Sequence, residues 1–142
     1  MCLNEDITRG LFPETDPKML GGLTLAFIGD AVYELVIRMF ILSKGEARVS
    51  AMHRDTVSLV NADFQADVMD RLIPTLTDEE LAVFKRGRNA HSAHTPKNKS
   101  EAQYHRSTGF EALIGYLYLK KETARLNEIL SAVLELGEEY AK

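Results

Sequence analysis

Two carboxylates in this chain stand alone in apolar surroundings. In FIGDAVYE, residues 27–34, Asp30 is the only acid or base between Gly21 and Tyr33. In GFEALIGYLYL, residues 109–119, Glu111 is the only acid. An unpaired buried charge is costly, so each needs a partner. An arginine or a helix N-terminus can satisfy one such acid. A matched pair on two apolar helices suggests instead that the two acids meet. Gly115, one turn beyond Glu111, permits close approach of another helix. Two carboxylates in contact repel, and one must then hold a proton unless a cation lies between them. Oxygen-only ligation of that kind suits Mg²⁺, with Mn²⁺ able to substitute.

A second concentration of chemistry lies between Lys85 and Arg106. Lys85, Arg86, Arg88, Lys97, Lys99 and Arg106 face one acid, Glu101, a local net charge of +5 in a chain whose net charge is −4. This basic stretch feeds directly into the segment carrying Glu111. It reads as a phosphate-gripping arm beside a metal, against the plain alternative of a solvated loop. His91, His94 and His105 share the stretch. A histidine-ligated zinc site is disfavoured, because no third ligand has a clear spacing. Glu34 and Arg38 read simply as a surface pair one helical turn apart.

The elements that must position these groups are helices. Asp16-Pro17 suits a helix start, and the Gly21-Gly22 pair favours a restart near Leu23. Leu25, Ile28, Val32, Leu35, Val36 and Met39 then recur at three- and four-residue steps, a stripe expected to face the core, with Asp30 on the other side near Ala26, Tyr33 and Ile37. Gly45 stops this helix. Ser50 is placed to cap a second helix over 51–72, ended by Pro74. Thr77 to Glu80 has the form of a capping box and opens a third helix, to about Gly87. Residues 88–103 are polar and aperiodic and read as a long loop. Helical pattern returns over 104–119 and 122–140. No alternation of period two is long enough for a strand, so the expected fold class is all-α.

The bulk numbers agree. A chain of 142 residues with 45% hydrophobic and 27% charged residues is ordinary for one globular domain. No apolar run reaches the roughly 18 residues of a membrane span. The acidic N-terminal stretch is not of secretory type. Cys2 is the single cysteine, which excludes an internal disulfide and a cysteine metal cluster. A cytoplasmic location without membrane partners is the expectation.

FIGDAVYE resembles the signature helix of the ribonuclease III catalytic domain, roughly glutamate, aromatic, leucine, Gly-Asp-Ala. FEALIGYLYL resembles that family's second acidic helix, Asp-x-x-Glu-Ala-Leu-Ile-Gly. The order of the motifs and the basic stretch between them also agree. Only 23 residues follow Leu119, too few for the double-stranded-RNA-binding domain that usually follows. That, with KRGRNAHS, TPKN and YHRSTGFEALIGYLYL, resembles the compact Mini-ribonuclease III branch. The resemblance implies a single catalytic domain over 1–142 and a homodimer. It implies Mg²⁺-dependent endonucleolytic cleavage of double-stranded RNA to 5′-phosphate and 3′-hydroxyl ends. The implied substrate is a large-subunit (23S) ribosomal RNA precursor, with a ribosomal protein on that RNA as a further partner.

The resemblance is incomplete at two positions. The signature's first glutamate falls on Ala26, and the aspartate of the second motif falls on Thr108. Asp30 and Glu111 remain as the catalytic and metal-holding acids, so one well-held ion is expected, any second being held mainly by RNA phosphate. Such an ion activates water and offsets charge at the scissile phosphate. Thr108 stands where it can orient a water in the lost acid's place, or where it can cap the helix bearing Glu111. Tyr104 and His105 are placed to touch RNA or to pack. The apolar signature helix is the expected dimer seam. Two other readings stay open. One is a non-catalytic RNA-binding module of the same fold, acting in ribosome assembly. The other is a helical, metal-dependent nucleotide hydrolase, which calls for a Glu-x-x-Glu pair that Glu79, Glu80, Glu138 and Glu139 do not supply.

Overall fold

A computed structural model of the chain describes residue 11 and residues 16–45, 48–90 and 101–140. Cys2, His91, His94, Lys97 and Lys99 lie outside the described residues. Those described form six α-helices and no strand. They are α1 (Gly22–Ser43), α2 (Val49–Val60), α3 (Ala62–Leu72), α4 (Asp78–Asn89), α5 (Glu101–Leu119) and α6 (Thr123–Tyr140). Single 3₁₀ turns occupy Pro17–Met19 and Ile73–Thr75. None of the described helices is long and apolar enough to cross a membrane.

The boundaries follow local chemistry. Asp16 accepts from the Lys18 amide at 3.0 Å, and Pro17 opens the turn, which runs for one 3₁₀ turn before α1 restarts. Gly45 lies beyond α1 with φ +90, a left-handed conformation that favours glycine. At Thr77 the capping box is complete. The Glu80 amide donates to Thr77 Oγ1 at 3.1 Å, and the Thr77 amide donates to Glu80 Oε1 at 2.9 Å. Where one helix over 51–72 is expected, there are two. Asn61 takes an extended conformation (φ −76, ψ 162) and its side chain accepts from the Phe64 amide at 2.9 Å. An asparagine able to cap a new helix offsets the lost helical bonds at the break. The cap of α2 is Arg48, whose side chain makes no capping bond, and Ser50 lies inside the helix. The basic stretch is helical at both ends, since α4 continues to Asn89 and α5 begins at Glu101.

Helix α5 is the axis of the fold. From Ser107 to Leu117 every residue except Glu111 is buried. It packs most extensively on α1, then on α4 and α3. The core holds Tyr33, Phe64, Phe84, Phe110, Leu113, Ile114 and Tyr116, none more than 1% exposed. Each large apolar side chain buried this fully stabilises by roughly 1.5–3 kcal/mol before conformational entropy is counted. The Tyr33 and Phe110 rings meet edge to face at 5.2 Å, and the Tyr33 hydroxyl donates to the Leu59 carbonyl at 2.6 Å. That bond ties α1 to α2 inside the core.

The buried face of α1 differs from the expected stripe. Leu25, Val32 and Val36 are buried, but so are Ala26, Tyr33 and Ile37, expected on the far side. Leu35 and Met39 are 47% and 43% exposed, beside Leu42 and the 77% exposed Phe27. A helix apolar almost all round has no polar face to mark the outside. Where α5 docks decides which side is buried.

Candidate functional site

The docking of α1 on α5 is governed by two glycines. A Cβ added at Gly29 would lie 1.7 Å from the Glu111 carbonyl oxygen, and one at Gly115 would lie 2.0 Å from the Leu25 carbonyl oxygen. No side chain fits at either place, so the two backbones touch there. Asp30 follows Gly29 directly, and Glu111 precedes Gly115 by one helical turn. The contact therefore carries both acids to the same edge of the helix pair. The glycine that the sequence places one turn beyond Glu111 does admit the other helix.

Asp30 and Glu111 interact directly, in different settings. Asp30 is an exposed residue at the margin of the buried face, not the buried charge its neighbours in sequence suggest. Glu111 is mostly buried. Burial, then a hydrogen bond and the charge of Asp30, push the Glu111 carboxyl up to about 9. At neutral pH that environment favours the protonated form of Glu111. The Gln65 amide beside it acts weakly in the opposite direction. The Tyr33 hydroxyl is held far above its ordinary range by burial, and secondarily by Glu111. Among the described residues, no three His, Cys, Asp or Glu side chains converge on one point. The acids that meet here, among the described residues, are Asp30 and Glu111.

This pair fits a hard divalent ion. Both donors are carboxyl oxygens and they already meet, so a hard cation between them would balance their charge. Asp30 opens the pair to solvent.

Thr108 is buried in the middle of α5, and its hydroxyl donates to the Tyr104 carbonyl at 3.0 Å. It is therefore not the cap of that helix, which starts about two turns earlier at Glu101. With its proton committed, Thr108 can only accept. Of the basic side chains, Lys85 is exposed. Arg88 lies over the Phe84 ring with its guanidinium 5.6 Å from the ring centre. The Arg86 guanidinium donates to the Leu20 carbonyl, which fastens α4 to the turn before α1. Arg106 is paired with Asp70 of α3. Glu34 and Arg38 form the expected surface pair at 2.9 Å. Arg88, Asn89, His105 and Arg106 line a cleft of about 590 Å³ with Phe84, Ile73 and Ala102. The rings of Tyr104 and His105 are 5.9 Å apart.

One residue of the site gave no signal in the sequence. Gln65 of α3 is 1% exposed. Its Oε1 accepts from Ser107 Oγ at 2.6 Å, and its Nε2, beside Glu111, has no partner at hydrogen-bonding distance and angle. Its place in DFQAD, with Asp63 and Asp67 two positions away on either side, looks like ordinary helix surface.

Comparison with known proteins adds a family. Residues 23–122 match the Ribonuclease III domain family. The chain is 46% identical over 132 residues to the Mini-ribonuclease 3 of Clostridium tetani (strain Massachusetts / E88), covering 92% of this chain and 87% of that protein. It is 45% identical over 123 residues to the Mini-ribonuclease 3 of Symbiobacterium thermophilum, covering 87% and 95%. A crystal structure of a Fusobacterium nucleatum protein superposes with a TM-score of 0.77 at 30% identity, covering 86% of this chain and 98% of that one.

Proposed function

Because this chain belongs to the ribonuclease III domain family, we propose that it is a Mg²⁺-dependent endoribonuclease that cuts double-stranded RNA at Asp30 and Glu111. The observation that carries this reading is the meeting of those two acids at the Gly29–Gly115 helix contact. When bound there, a divalent ion supplies charge neutralisation at the phosphate and activates water for hydrolysis. The chain's own part is to hold two oxygen donors in place on rigid helices. Asp30 presents its carboxylate at the open side. Glu111, released of its proton, presents its own from the buried side. Thr108 enters only as an acceptor that orients a water. The products in this proposal carry 5′-phosphate and 3′-hydroxyl ends.

Lys85 and Arg88 are proposed to grip RNA phosphates, together with Lys97 and Lys99. Recognition is by shape and backbone, since A-form RNA hides its base edges in a deep groove. Arg86 and Arg106 would contribute charge from positions they already hold for structural reasons. A second copy of the chain is proposed to cover the exposed apolar side of α1 at Phe27, Leu35, Met39 and Leu42. Two sites then face the two strands of a duplex. The substrate we favour is a large-subunit (23S) ribosomal RNA precursor in the cytoplasm, with a ribosomal protein on the RNA as partner.

The test is cleavage of a duplex RNA with Mg²⁺, comparing the parent with Asp30→Asn. The parent cuts and the variant does not. Cutting that survives the substitution rejects this site. Duplex binding without cutting by the parent leaves the RNA-binding module, and hydrolysis of free nucleotides leaves the nucleotide hydrolase.

A further inference from the structure

Gln65 is the buried polar group that the proposed reaction leaves unexplained. It comes from α3, a helix that otherwise contributes apolar side chains to the core. A carboxamide 1% exposed needs partners for its oxygen and for its nitrogen. The oxygen has one, the Ser107 hydroxyl of α5 at 2.6 Å. The nitrogen has none, although it lies beside Glu111. An orphaned buried donor costs about 1–3 kcal/mol. Such a donor calls for a partner in another state of the protein.

That state is Glu111 with a cation held between it and Asp30. The Glu111 carboxyl has two oxygens. With one toward Asp30 and the cation, the other would be left toward the interior, where the Gln65 nitrogen is the donor at hand. Groups that hold metal-bound carboxylates commonly set metal affinity in this way.

We infer that Gln65 is a positioning residue for Glu111: clamped by Ser107, its amide holds one oxygen of Glu111 and turns the other toward Asp30. The inference rests on the proposed metal pair and adds to it a third helix. The acids come from α1 and α5, and α3 fixes the orientation of the buried one. Gln65 does not touch the cation or the RNA.

The test measures Mn²⁺ binding by the full chain without RNA, from loss of the free-ion EPR signal, beside steady-state cleavage. The variants are Gln65→Met, the double variant Gln65→Met/Ser107→Ala, Gln65→Glu and Asp30→Asn. The double variant removes both ends of the Gln65–Ser107 bond together, so no new orphan is left and folding is kept. Gln65→Met and the double variant are expected to bind Mn²⁺ about 10-fold or more weakly. Their kcat falls at subsaturating metal, KM for the duplex is unchanged, and excess Mn²⁺ restores much of the rate. Gln65→Glu repels Glu111 and does not restore binding. A merely structural glutamine would lower thermal stability and leave Mn²⁺ affinity at the parent value, and that result overturns the inference. If Asp30→Asn binds Mn²⁺ as tightly as the parent, or the parent binds none, the metal pair itself fails and the inference with it. If Asp30 matters and both Gln65 variants bind like the parent, only the role of Gln65 is refuted.

Discussion

Replacing Glu111 by glutamine should stabilise the metal-free protein while removing its activity. Glutamine is close to isosteric with the protonated acid, and its amide can donate to Asp30 as the acid does. The folded chain holds the Glu111 proton up to about 9, and the unfolded chain releases it near 4.5. Across that window the unfolded state binds fewer protons, so stability falls as pH rises. The contribution is present in full below the unfolded value and is lost as pH climbs through the folded one. At about 1.4 kcal/mol per unit, the roughly 2.5 units between the unfolded value and pH 7 give an upper figure of roughly 3 kcal/mol. Relaxation and water entry at the edge of the site reduce this to about 2 kcal/mol. Urea unfolding in EDTA, at steps from pH 5 to pH 9, measures it for both proteins. Other groups titrate in the same range, but the difference between parent and Glu111→Gln isolates Glu111. That difference should be near zero at pH 5 and grow with pH in favour of the variant. Excess Mn²⁺ should close the gap by stabilising the parent alone. A difference that is flat across the range, or a variant less stable at pH 8, refutes the protonated Glu111 and the mutual approach of the acids.

Gly29→Ala should destabilise by several kcal/mol and abolish cleavage, because its Cβ meets the Glu111 backbone at 1.7 Å and the helices must part. Gly137→Ala, whose Cβ would meet Leu59 at an ordinary 3.5 Å inside α6, should instead raise the melting temperature, by up to about 1 kcal/mol of stability. Arg125→Met should cost about 3 kcal/mol in urea unfolding, since it strips both Arg125 bonds (2.8 and 3.0 Å) from the buried Glu80 carboxylate and leaves that charge uncompensated. For duplex binding in Ca²⁺, Lys85→Ala and Arg88→Ala should each lower the slope of log affinity against log salt by about one. A slope unchanged in both variants rules out a phosphate grip by α4.

Some features were legible in the residues themselves because they are local. The capping box at Thr77 and Glu80, the stop at Gly45, the surface pair of Glu34 and Arg38 and the all-helical class each depend on neighbours within one or two turns. The two solitary acids and the glycine beyond Glu111 were visible for the same reason, and so was the family resemblance of their motifs. Other features exist only once distant segments pack. Which side of α1 faces inward is settled by the backbone contact at Gly29 and Gly115, since an apolar helix carries no internal mark of its outer face. The exposure of Asp30 beside the burial of Glu111 follows from that crossing. The break at Asn61, inside a run that reads as one helix, is held by the Asn61 side chain as a cap, a role the periodicity of the run does not reveal. Arg86 and Arg106 look like free cations in the chain and are taken up by Leu20 and Asp70 in the fold. Gln65 becomes part of the site only because α3 lays it against α5, where burial turns an ordinary surface amide into a donor in need of a partner.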